Sequence, residues 1–125
     1  MILIGVGGFG GLSYSVEHIR DGLMGDKILQ YVVYDYDSTK KSVTEITVAG
    51  ADLAKFEAKL LEIGVNDWKR SYEPEGRVFD GASWTAKILF GQIECWSGGV
   101  GSAFAPNFGE FLDAVSELIG GLTFE

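Results

Sequence analysis

Apolar and polar residues alternate along most of the first half of the chain. Residues 2–6 form a short apolar run, and residues 12–20 set Tyr14, Val16 and His18 against Ser15, Glu17 and Ile19, the period-two pattern of a half-buried strand. Residues 28–36, rich in Val and Tyr, and residues 43–48, alternating with Thr44, Glu45 and Thr47, read as two more strands. Asp21-Gly22, Gly25-Asp26 and the polar residues 38–41 are turn signals between them. The period becomes helical over residues 52–63, where Leu53, Phe56, Leu60 and Ile63 share one face and Gly64 is placed to end the helix. Residues 82–90 alternate again, with Trp84, Ala86, Ile88 and Phe90 against Thr85, Lys87 and Leu89; Gly91 permits a turn into residues 93–97, a hairpin. The last helix spans residues 107–119. Asn107 and Glu110 have capping-box spacing after Pro106, and Phe108, Phe111, Leu112, Val115, Leu118 and Ile119 make an apolar stripe. Glu110, Asp113 and Glu117 face away, and Gly120-Gly121 stops the helix.

The order β-β-β-β-α-β-β-α predicts an α+β fold. It has an antiparallel sheet of about five to six strands, with the helices 52–63 and 107–119 on one face, in a single domain over residues 1–125. At 125 residues, with 46% hydrophobic and 13% aromatic residues, the chain can bury a core without a metal or disulfide staple. Cys95 is the one cysteine, so no intrachain disulfide forms, which fits a reducing, cytoplasmic setting. The first residues carry no secretory pattern, and no apolar run is long enough to span a membrane.

Charge narrows the partners. The net charge is -8 and the pI about 4.5, which disfavours nucleic acid and favours a basic protein. After Lys87 come Glu94, Glu110, Asp113, Glu117 and Glu125 with no Lys or Arg, a field of one sign.

Candidate chemistry is sparse. Gly5-Val6-Gly7-Gly8-Phe9-Gly10 matches G-x-G-x-x-G after a strand, with Asp35 further on, the outline of a dinucleotide site. That site needs a helix starting at the glycines, and the residues that follow are strand formers. The competing reading is a glycine turn with Phe9 at its tip, serving as a recognition loop. His18 is the single histidine, and Glu17 beside it points to the other face of a strand. No serine motif accompanies it, and only a Cys95–His18 pairing in space would make a nucleophile. Asp35 and Asp37 lie on one side of a strand but lack the ligand spacing of a calcium loop. Trp84 fits an inward position. Trp96 falls on the outward set and, with Phe104 in the loop 98–105, forms an aromatic anchor ringed by carboxylates.

Two resemblances add to this. The series Trp68, Tyr72, Asp80-Gly81-Ala82-Ser83-Trp84, Ser97-Gly98-Gly99 and Pro106-Asn107-Phe108 resembles a group of small bacterial proteins with a W…Y…DGxxW pattern, a glycine-rich loop and PxNF opening the last helix. Some such acidic proteins sit beside toxins, which implies an immunity-type role by analogy. The Gly7-Gly8-Phe9-Gly10-Gly11 loop is similar to that of emfourin-type inhibitors of bacterial metalloproteases, implying Gly7, Gly8, Phe9 and Gly11 as contact residues. The expectation is therefore a small acidic binding module, an inhibitor or immunity-type protein without catalytic residues, metal or cofactor. Its binding residues are Gly7, Gly8, Phe9, Gly11, Trp96, Phe104, Glu110, Asp113 and Glu117. The alternatives are a nucleotide-binding domain using Gly5, Gly7, Gly10 and Asp35, and an oligomerisation domain exposing the last helix with Leu122 and Phe124.

Overall fold

The structure, a computed structural model, describes residues 1–7, 11–35, 39–74 and 82–125. Four strands come first: β1 (Ile2–Gly7), β2 (Ser13–Asp21), β3 (Lys27–Tyr34) and β4 (Lys40–Val48). Helix α1 (Gly50–Ile63) and a 3₁₀ turn (Val65–Asp67) follow, then β5 (Ser83–Phe90), β6 (Ile93–Val100) and α2 (Phe108–Leu118). All six strands join one sheet in the order β4-β3-β2-β1-β5-β6, each neighbour antiparallel. The predicted α+β architecture and element order are those observed.

The topology has a physical logic. Short connections in sequence join β1, β2, β3 and β4 into a meander outward from β1. The chain must then return from the β4 edge to the far side of β1. Four inter-strand spacings amount to about 19 Å, and the fourteen residues of α1 span about 21 Å. Leu53, Phe56, Leu60 and Ile63 of α1 and Phe108, Phe111, Val115 and Leu118 of α2 join Ile2, Ile4, Val16, Leu29, Trp84, Ile88, Ile93 and Cys95 of the sheet in one buried cluster. Among the described residues no helix covers the other sheet face, with Glu17, Glu45, Lys87, Leu89, Glu94 and Trp96.

Three local expectations need correction. Asn107 occupies the N-cap position of α2 but with φ 61 and ψ 30, and its side chain makes no cap hydrogen bond. Its Nδ2 instead donates to the carbonyl of Ile63, 3.4 Å away, tying the start of α2 to the end of α1. Strand β6 runs on to Val100 because Gly98 and Gly99 pair with Thr85 and Trp84 and do not form a loop. Gly99 is there for clearance: a Cβ would stand 2.4 Å from Trp84 Nε1 and 2.6 Å from the Ala103 carbonyl that this indole donates to. Of the apolar residues in the C-terminal tail, Leu122 is exposed as expected but Phe124 is not. Phe124 is buried, its ring 6.3 Å from that of Tyr14, and the Tyr31 hydroxyl donates to the Thr123 carbonyl. Gly64 behaves as expected, left-handed at φ 89, its N–H donating to the Leu60 carbonyl.

Candidate interaction surface

Residues Ser13–Asp21 are a strand, so no helix N-terminus follows the first glycine cluster to face a diphosphate. Gly7 closes β1, where a Cβ would lie 2.6 Å from Ser13 Oγ, and Gly11 adopts φ 97. Both glycines are accounted for by the return into β2. Gly8, Phe9, Gly10 and Asp37 lie outside the described residues. Asp35 follows β3, its N–H donating to the Thr39 carbonyl.

The remaining chemical candidates separate in space. His18 is on β2 and Cys95 on β6, three strand spacings or about 14 Å apart. Nε2 of His18 stands 2.9 Å from Asp21 Oδ1 without hydrogen-bond geometry. A hydrogen bond from Lys27 and then its charge hold the Asp21 carboxyl below the usual carboxylate range, with His18 adding to the effect. Cys95 is 2% exposed, its thiol directed at the Ala86 carbonyl, and burial pushes its pKa up to about 11. Such a thiol is a poor nucleophile at neutral pH. Among the described residues no three His, Cys, Asp or Glu side chains gather as metal ligands, and no helix is long and apolar enough to cross a membrane.

The predicted aromatic anchor divides in two. Trp96 is 39% exposed and projects from the helix-free face of β6, directly across from Lys87. Phe104 is 45% exposed but stacks on Phe108 at 5.0 Å, on the helix side. The two aromatics therefore belong to opposite sides of the sheet. Glu110, Asp113 and Glu117 are exposed on α2 as predicted. Glu110 lies in the first helical turn, where a carboxylate complements the helix dipole whatever else it does. Glu117 faces a cleft of about 260 Å³ that α1 lines with Lys55 and Lys59 as well as Asp52, so the field there is mixed in sign.

Around Trp96 the structure assembles a second, larger concavity of about 380 Å³ from Asn66, Trp68, Arg70, Gln92, Glu94 and Trp96. Its outer wall is the segment after α1. Asn66 Nδ2 donates to the Gln92 carbonyl while its Oδ1 accepts from the Glu94 N–H, replacing a strand partner with one side chain. The Arg70 carbonyl accepts from the Gly98 N–H, and Tyr72 exchanges hydrogen bonds with Gly98 and Val100. Ser97 Oγ donates to the Lys69 carbonyl. The segment is anchored inward by Trp68, whose ring sits 5.8 Å from Trp84 and 5.1 Å from Phe111, both edge-on. The Trp68 indole N–H is buried with no hydrogen-bond partner among the described residues. Leu89, 47% exposed, lies diagonal to Trp96 on the same face, and Val100, 40% exposed, lies further along β6. Gly98 between Trp96 and Val100 carries no side chain to cover the indole.

The sequence signal for Leu89 was its place in the outward set of residues 82–90. For Asn66 and Arg70 no signal stands out, because their role depends on α1 delivering them to the β6 edge. Compared with known proteins, the chain matches no family model, no curated protein and no solved structure.

Proposed function

We propose that this chain is a small acidic protein-binding module of the inhibitor or immunity type, which recognises a basic protein through the Trp96 cleft. The observation that carries the reading is the half-exposed Trp96 at a concave sheet edge, with Leu89 on the same face and the charges of Arg70, Lys87 and Glu94 around it. A large aromatic at a rigid strand position loses little entropy on binding, and such residues dominate interface energetics. Net charge and local charge divide the work. The net charge of -8 draws a basic partner, while the mixed charges at the cleft set its orientation. Catalysis has no comparable support: the histidine and the thiol are far apart, and the thiol is held protonated by burial.

The test is capture from an extract of the source cells with the wild-type chain and with Trp96→Ala as baits. The reading expects a basic protein retained by the wild type, released as salt rises, and missing from the Trp96→Ala sample. An identical set of retained proteins on both baits contradicts it.

A further inference from the structure

We propose that β4 of one copy pairs antiparallel with β4 of a second copy, about a twofold axis at Val43, to make a continuous sheet. Strand β4 is the outermost strand on its side, nine residues long, with residues 40–45 exposed throughout. Among the described residues its backbone makes no hydrogen bonds beyond the ladder to β3. An edge of that length is a template for another strand.

The residues on the helix-free face select a second copy of this chain as the occupant, and select one register. With Val43 opposite Val43, Lys41 of each copy stands opposite Glu45 of the other, and Ser42 stands opposite Thr44. Val32 is the neighbour of Val43 on β3, so the row across the junction reads Val32, Val43, Val43, Val32. This joins an apolar pair 2% and 49% exposed to its own image. Glu45 already receives Arg20 Nη2 on Oε1 at 2.6 Å, which leaves Oε2 for the incoming lysine. Other registers fail. A slip of two residues sets Val43 against Glu45 or against Lys41. A slip of four sets Glu45 against Glu45 or Lys41 against Lys41, where like charges face each other. Odd slips turn the helix-free face of one copy toward the helix face of the other. The bulge between Val33 and Tyr34 leaves Lys41 as the extra residue of β4 and so ends the regular edge there. Lysines and a bulge at an edge deter unrelated strands, and only a strand carrying Glu45 in this register neutralises them.

The experiment is light scattering on the full chain across a concentration series, with paired charge variants. The wild type should dimerise. Lys41→Glu and Glu45→Lys should each weaken dimerisation about tenfold, since two like-charge pairs then face each other, and the double exchange should restore it. Both substituted positions are exposed, and circular dichroism verifies the fold of all three variants. In parallel, Val43→Cys should oxidise to a disulfide-linked dimer, because directly opposed strand residues meet disulfide geometry and Cys95 is buried. Thr47→Cys, about eight residues out of register with its image, should not. A wild type that stays monomeric at the highest concentration, a double exchange that fails to restore the dimer, or equal crosslinking at both cysteines overturns the proposal.

Discussion

The two edges of the sheet are built to different plans. At β6 the edge is lined by the segment that follows α1, with Asn66, Arg70 and Tyr72 occupying backbone groups and Trp68 driven into the core beside Trp84. At β4 there is no such covering among the described residues, and exposed side chains, polar but for Val43, run from Lys40 to Glu45. The β6 edge is therefore part of the core's energetics, while β4 adds only Val48 and Ile46 to the core beyond its ladder. A rigid, aromatic edge suits recognition of a foreign surface; a bare, self-complementary edge suits pairing with its own kind.

This contrast can be broken most severely at Trp84. Its indole touches Trp68, Tyr72 and Phe108 and donates to Ala103. Trp84→Ala should cost about 3–5 kcal/mol in urea unfolding, and should free the amides of Glu94 and Gly98 to exchange with solvent. Asn66→Ala is the gentler version. It removes two hydrogen bonds to backbone at an exposed edge, so the loss should be about 1 kcal/mol, with faster exchange confined to Glu94. On the other edge, Thr47→Ala should change stability by no more than about 0.5 kcal/mol. Should Thr47→Ala prove as costly as Asn66→Ala, the distinction between the edges fails.

A further effect is one of pH, absent at neutral pH and confined to the alkaline range. Cys95 titrates at about 11 in the folded chain because of burial, against 9.0 for an unperturbed thiol. Below pH 9.0 the thiol is neutral in both states and its contribution is fully present. As pH rises from there through 11, the unfolded chain ionises first and stability declines. The stability difference between wild type and Cys95→Ala should stay constant below pH 9.0 and change only in that window, and a thiol reagent near neutral pH should react only after unfolding.

Much of this architecture was legible in the residues, for a physical reason. Trp84, Ala86 and Ile88 alternate with exposed Ser83, Lys87 and Leu89 because one face of β5 is buried and the other is not. The same alternation placed Trp96 outward. What the pattern did not carry is tertiary. Asn107 has the residue type of a cap, yet the nearby end of α1 offers its amide the Ile63 carbonyl. Phe104 and Trp96 are close in sequence, but β6 stands between them, so a single aromatic patch became two. Residues 40–42 extend β4 without any apolar demand, since an edge strand needs only its neighbour's backbone. The one-sign charge of the C-terminal third is diluted by Lys55 and Lys59, which sequence distance concealed.

The most direct measurement of the recognition claim is a photo-crosslinking amino acid placed at position 96 and, separately, at exposed Leu61 of α1, in the source cells. The account predicts a covalent adduct to one basic protein from position 96 and none from position 61. Adducts that are absent from position 96, or equal from both, contradict it.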